Sequence, residues 1–136
     1  MRSLHSLVLA FFLAGCAHTI SLQEQYLQTH PEITGEEAQA VLNKTITYGL
    51  SRESVRASLG APKKVFGYIS EGNQVEVWVY SEFEWYPYEN VLFENGKMKS
   101  WNFPKTVKTE LEARAAKELL SANSDVYQEL NKEISS

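Results

Sequence analysis

Gln74-Val75-Glu76-Val77-Trp78-Val79-Tyr80-Ser81 alternates without interruption. Val75, Val77 and Val79 point one way and Glu76, Trp78 and Tyr80 the other, which is the period of a β-strand. Upstream, Lys64 to Ile69 reads as a partner strand, reached through a tight turn at Glu71-Gly72-Asn73. Downstream, Glu89 to Glu94 and Lys97 to Phe103 flank Asn95-Gly96, a strong hairpin signal, and Pro104 ends the sheet. Large apolar groups on both sides of one strand mean that both faces of this sheet need a cover.

Outward from the sheet the period changes to that of helices. Thr34-Gly35-Glu36-Glu37 reads as a capping box, and Ala38, Val41, Leu42, Thr45 and Ile46 follow at helical spacing until Gly49. Ser51 caps a second, short helix, with Glu53 placed for the helix dipole and Val55 and Leu59 pointing inward. Gly60 and Pro62 stop it. His30-Pro31 marks the entrance to this domain, and the sparsely apolar stretch from Ala17 to Pro31 reads as a tether.

Beyond Pro104, Val107, Leu111, Ala115 and Leu119 form a stripe four residues apart, and Glu110 precedes Arg114 in the favourable order for a helical ion pair. Ser121-Ala122-Asn123-Ser124 reads as a break, with a last helical piece from Asp125 to Ile134 carrying Val126, Tyr127, Leu130 and Ile134. The expected fold is α+β, two helices packed on a small antiparallel sheet in the order α-α-β-β-β-β, followed by a C-terminal helical tail. Two helices can cover one face only. The stripe of the tail is therefore expected on the face bearing Trp78 and Tyr80.

The start of the chain speaks to compartment. Met1 to Ser6 carries Arg2 and no acid, Leu7 to Leu13 is continuously apolar, and Ala14, Gly15, Cys16 and Ala17 are small. A charged start, a short apolar run and a small-residue site make an export signal too short for a permanent span. Leu13-Ala14-Gly15-Cys16 resembles the lipobox of bacterial lipoproteins. That resemblance implies cleavage before Cys16, a diacylglyceryl group on its thiol and acylation of its new amine, enough lipid for stable membrane anchoring. The alternative is an ordinary signal with an incidental cysteine, but the chain's sole cysteine sits where lipidation requires it. Ala17 stands where an inner-membrane retention signal would usually place Asp, so the expected site is the outer membrane, facing the periplasm. The chain thus divides into a signal peptide (1–15), a lipidated tether (16–32), an α+β domain (33–104) and a C-terminal helical extension (105–136).

With 136 residues, 43% hydrophobic and 22% charged, the chain suits one domain with a modest core. Loss of the signal removes Arg2 and no acid, moving the net charge from -4 to -5. This mild acidity excludes the basic patch of a nucleic-acid binder and adhesion to anionic headgroups by charge alone. One cysteine excludes an intramolecular disulfide, so packing of 3 Trp, 7 Tyr and 6 Phe must hold the domain.

Tyr48-Gly49-Leu50-Ser51, Val55, Leu59-Gly60-Ala61-Pro62, Glu76-Val77-Trp78-Val79-Tyr80 and Leu92-Phe93-Glu94-Asn95-Gly96-Lys97 occur in this order. Together they resemble the BamE family, also called SmpA/OmlA, of small outer-membrane lipoproteins. The resemblance covers roughly Ile33 to Phe103 and leaves out the tail after Pro104 and the loop Ser81 to Tyr88. It implies two helices on a small antiparallel sheet, like half of a β-lactamase inhibitor, and an accessory role in assembling outer-membrane β-barrels.

No nucleophile and base can be paired from this sequence, so an enzyme is not expected. The cysteine is assigned to lipid, His5 leaves with the signal, His18 adjoins the anchor, and His30 beside Pro31 reads as a turn residue. Glu82, Glu84 and Glu89 could form an acid pair but read better as solvated loop charges. Gly60-Ala61-Pro62 and Gly67 fit a helix stop and a strand rather than a phosphate loop. No cofactor or metal is expected. The unusual feature is Phe83-Glu84-Trp85-Tyr86-Pro87-Tyr88. Phe83, Trp85, Tyr86 and Tyr88 either pack over the end of the sheet or form a contact surface for a protein partner, since Trp and Tyr are favoured interface anchors. The expected function is that of a lipid-anchored binding or scaffold subunit in the cell envelope. A periplasmic inhibitor or sensor that binds an enzyme or small ligand is the rival reading, and a structural cell-wall spacer is a third.

Overall fold

Two short turns set the register of the sheet. Glu71-Gly72 and Asn95-Gly96 both take left-handed backbone angles (φ 50° and 82°, 50° and 80°), the pair of conformations that joins adjacent antiparallel strands without splaying them. The computed structural model describes residues 19–83 and 85–134. Within them β1 (Lys64–Ser70), β2 (Asn73–Val79), β3 (Asn90–Glu94) and β4 (Lys97–Trp101) form one antiparallel sheet in the order β1-β2-β3-β4. Lys64 lies opposite Val79 and Ser70 opposite Asn73, while Trp78 lies opposite Val91 and Glu76 opposite Phe93. A register shift at Leu92/Phe93 bends the β3–β4 pair.

Four helices accompany the sheet: α1 (Leu22–Thr29), α2 (Gly35–Leu42), α3 (Arg52–Leu59) and α4 (Lys105–Ile134). The fold is α+β, as expected. The number and extent of the helices differ from expectation.

The stretch read as a tether holds α1. Its capping box is Ser21/Glu24: the Ser21 hydroxyl accepts from Glu24 N–H and the Glu24 carboxylate from Ser21 N–H. No residue of α1 is buried. It docks through polar groups instead: Gln23 Nε2 donates to Ala57 O (2.9 Å), and the Tyr26 hydroxyl lies 3.2 Å from Ser54 Oγ. His30 caps α1 and stacks on Tyr26, with ring centroids 4.2 Å apart.

The capping box expected at Thr34 is not formed. Thr34 makes no side-chain cap bond. The Glu37 carboxylate instead accepts from the buried Ser54 hydroxyl at 2.7 Å. Nor does α2 run on to Gly49. Lys44 takes a left-handed conformation (φ 55°), Thr45 N–H returns to Ala40 O and Lys44 N–H to Val41 O, a Schellman closure without its usual glycine. Helix α3 keeps its expected limits, with Ser51 Oγ accepting from Ser54 N–H and Gly60 (φ 87°) at its end.

The covers of the two sheet faces are exchanged relative to expectation. Trp78, Tyr80, Val91, Phe93 and Met98 face α2, α3 and their connection, through Ala40, Ile46, Leu50 and Val55. This is the main core, with Phe93, Met98, Val55 and Val91 fully buried. Glu76, two residues before Trp78 in β2, shares that face, and its carboxylate accepts from the Trp78 indole N–H and lies 3.3 Å from Arg52 Nε. Helix α4 lies on the opposite face, where Leu111 and Ala115 meet Phe66, Tyr68, Val75 and Leu92. The other two members of the stripe, Val107 and Leu119, are exposed. Arg114 lies over the Tyr68 ring (4.8 Å) and donates to Ser70 Oγ, rather than serving the expected pair with Glu110.

The break expected near Ser121 is absent, and α4 runs unbroken to Ile134. Ser121, Asn123 and Ser124 each cost only a few tenths of a kcal/mol in a helix, whereas Gly or Pro would cost about 1–3. The Ser121 hydroxyl bonds back to Lys117 O, a contact compatible with the helix.

Candidate functional site

The loop from Ser81 to Tyr88 is closed at its base by the sheet. Tyr80 N–H and Ser81 N–H both donate to Glu89 O, at 2.8 and 3.1 Å. Asn102, just past β4 in a left-handed conformation (φ 53°), grips the far limb. Its Oδ1 accepts from Glu89 N–H and its Nδ2 donates to Pro87 O, both at 2.8 Å. Beneath it the buried Asn90 side chain holds Phe103 by both backbone groups: Nδ2 donates to Phe103 O (3.2 Å) and Oδ1 accepts from Phe103 N–H (3.0 Å). The near limb is fixed by Ser81 Oγ, which accepts from Phe83 N–H, and by Tyr86 N–H, which donates to Phe83 O.

Helix α4 supplies a further tie. Lys108 is buried, and its ammonium is paired with the Glu82 carboxylate. The bond from Lys108 holds the Glu82 carboxyl below the usual carboxylate range. A carboxyl meant to donate protons near neutrality would need the opposite shift. Glu84, the second member of the possible acid pair, lies outside the described residues. Burial pushes the Tyr80 phenol well above its ordinary range, and its hydroxyl donates to Gly60 O at the end of α3 (2.9 Å). Tyr80 thus joins the loop base to the helical layer.

On this frame the four candidate aromatics part company. Phe83, Trp85 and Tyr86 are 59%, 79% and 42% exposed. They form one continuous surface: Phe83 and Trp85 stack with centroids 5.9 Å apart, and Trp85 meets Tyr86 edge-on at 6.3 Å. Tyr88 is half-buried against the main core and serves packing. Tyr88 thus packs as one of the two readings expected, while Phe83, Trp85 and Tyr86 stay on the surface. A groove of about 560 Å³ opens on the Trp85 side, walled by Glu82, Phe83, Phe103, Lys105 and Lys108. A smaller one of about 280 Å³ lies on the Tyr86 side, between Lys44, Leu59 and Tyr80.

No family model, curated protein or solved structure matches the chain. Among the described residues no group of three or more His, Cys, Asp or Glu is placed to hold a metal ion. No helix among them is long and apolar enough to cross a membrane. Cys16, the expected lipid site, lies outside the described residues. The residues that sequence reasoning missed are those of the frame: Asn90, Asn102 and Lys108. Asn102 had a readable signal, since asparagine just after a strand commonly takes left-handed turns. Lys108 had none, because a lysine beside the apolar stripe of a helix ordinarily reads as a solvated charge.

Proposed function

We propose that the chain is a lipid-anchored lipoprotein of the cell envelope whose folded part is a non-enzymatic protein-binding or scaffold subunit. One observation carries the binding role: three exposed aromatics stand on a loop whose backbone is held by Ser81, Asn102 and the Lys108–Glu82 pair. Exposed Trp and Tyr on a fixed backbone lose little conformational freedom on binding, which is the physical character of an interface anchor. Loop packing alone would have buried them, as it half-buries Tyr88. The anchoring role rests on the resemblance of Leu13-Ala14-Gly15-Cys16 to a lipobox. The BamE resemblance extends the proposal to outer-membrane protein assembly. The order α2-α3-β1-β2-β3-β4 agrees with what it implies, while α1 and α4 lie outside it.

Site-specific photo-crosslinking in the cell tests the binding role. Trp85→p-benzoylphenylalanine should yield a discrete adduct with an envelope protein, and the same replacement of the exposed Lys99 should not. Barrel-assembly subunits in the adduct would support the extended reading, and a single enzyme the inhibitor reading. Equal, diffuse labelling from both positions would sink the proposal. For the anchor, Cys16→Ser should leave an unacylated full-length chain, and an acylated mass unchanged by the substitution would refute it.

A further inference from the structure

Helix α1 has no buried residue, and large aliphatic side chains at its start and beside it reach solvent. Ile20 is 50% exposed, Leu22 77%, and Leu42 at the end of α2 41%. They border two shallow hollows. Ile20 and Leu42 share one with Leu27, and Leu22 shares the other with Tyr26 and Ala57. This region also carries almost no charge. Between Ala17 and Pro31, Glu24 is the only Asp, Glu, Lys or Arg, and its carboxylate accepts from the Ser21 N–H. Helix α4 differs: Lys105, Glu110, Lys117 and Glu118 stand on its exposed surface. Charges suit a helix that stays in water and are costly on one that lies against lipid.

The length of chain before α1 says what covers these side chains. On the lipid-anchor reading, on which this inference rests, the acyl chains leave from Cys16, four residues before Ile20. Four residues span at most about 14 Å when fully extended. The headgroup layer they must first cross is roughly 5–8 Å deep, so Ile20 can rise no more than about 6–9 Å above it. A helix with its side chains is about 10–12 Å across. Neither a second copy nor a folded partner fits between Ile20 and the lipid. We infer that Ile20, Leu22 and Leu42 rest in the headgroup layer of the membrane that holds the anchor, so that the domain stands on the bilayer by the start of α1. The acyl chains already hold the protein at the membrane. The added contact fixes its orientation. The end of α4 then points away from the bilayer. The start of α1 lies by the end of α3 through the Gln23–Ala57 bond, and Gly60 there receives the Tyr80 hydroxyl at the base of the aromatic loop. Helix α4 begins beside that loop at Lys108–Glu82 and runs to the other end of the sheet, where Glu118 meets Ile69.

Depth-dependent fluorescence quenching of the membrane-purified chain tests it, in vesicles of phosphatidylethanolamine and phosphatidylglycerol. Acylation occupies the Cys16 thiol, so an added cysteine takes a fluorophore alone. Gln25→Cys places it on exposed α1, and Asn123→Cys on exposed α4 beyond Glu118. Lipids carrying a nitroxide near the glycerol should quench the Gln25 probe several-fold more than the Asn123 probe. Ile20→Ser/Leu22→Ser should remove most of that difference while leaving the acylated mass and the thermal melt unchanged, since both side chains are exposed. Mass spectrometry keeps the two readings apart. A chain without acyl mass would defeat the anchor reading and this inference with it. An acylated chain whose two probes are quenched alike, or whose quenching ignores Ile20→Ser/Leu22→Ser, would overturn the inference and leave the anchor standing. So would a Gln25 probe shielded from aqueous iodide only as protein concentration rises, which would assign the patch to a second copy.

Discussion

The two faces of the sheet are both apolar, yet they are covered by different means and to different depths. On one, Trp78, Tyr80, Phe93 and Met98 lie under a two-helix layer and its connections. On the other, Phe66, Tyr68, Val75 and Leu92 meet a single helix, of which Leu111 and Ala115 make the contact. The two-helix layer also meets the polar tips of its aromatics. A buried indole or phenol needs a hydrogen-bond partner. The end of α3 offers Gly60 O to Tyr80, and Arg56 lies over the Trp78 ring at 5.5 Å. On the opposite face Arg114 of α4 lies over the Tyr68 ring at 4.8 Å, and the small Ala115 lets the helix approach the sheet closely.

The largest expected effect tests the depth of the main core. Trp78→Ala should cost about 3–5 kcal/mol, and Leu111→Ala on the other face about half as much, because Leu111 is only half-buried. Chemical denaturation of both variants checks the ratio. Equal losses would mean that the faces contribute alike.

Truncation divides α4 itself. Ending the chain after Phe103 uncovers Tyr68 and Val75 and removes the Lys108 tie, so the melting temperature should fall and aggregation rise. Ending it after Leu120 removes residues beyond the last sheet contact, the Glu118–Ile69 bond, and should change the melt little. A helix of 30 residues is about 45 Å long, and its exposed Leu119 and Leu120 mark where it leaves the sheet.

A smaller effect is expected from the frame. Asn90→Ala should cost about 1–3 kcal/mol by leaving Phe103 N–H and C=O unpaired at a buried site. Amide exchange should then quicken at Glu89 and Phe103.

The smallest concerns pH. The folded-state pKa of Glu82 is lowered, so its contribution is present above the ordinary carboxylate range and disappears as pH falls through the lowered value. Its side chain is 60% exposed, which keeps this below about 1 kcal/mol. Glu82→Gln should flatten that part of the stability profile, as measured by denaturation at a series of acidic pH values.

How much of this was legible in sequence varies by element. The sheet was, because strict alternation and two glycine-bearing turns leave one register. The limits of α3 were, from Ser51 and Gly60. The exchange of covers was not, since periodicity shows that a face is apolar and not what lies on it. Helix α1 was missed because counting apolar residues overlooks a helix held by Gln23, Tyr26 and a capping box. The box at Thr34 failed because Ser54, seventeen residues away, takes the Glu37 carboxylate. At the site, the aromatic cluster was plain in sequence, whereas the separation of Tyr88 from the other three depends on where the chain turns at Pro87.

The central claim is that the aromatic loop is a surface apart from the core that supports it. The most direct measurement takes one variant, Phe83→Ser/Trp85→Ser/Tyr86→Ser, and compares its thermal melt with its capture of envelope proteins from detergent-solubilised membranes. The account predicts an unchanged melting temperature and loss of the proteins captured by the parent chain. A lowered melt, or the same captured proteins, would contradict it.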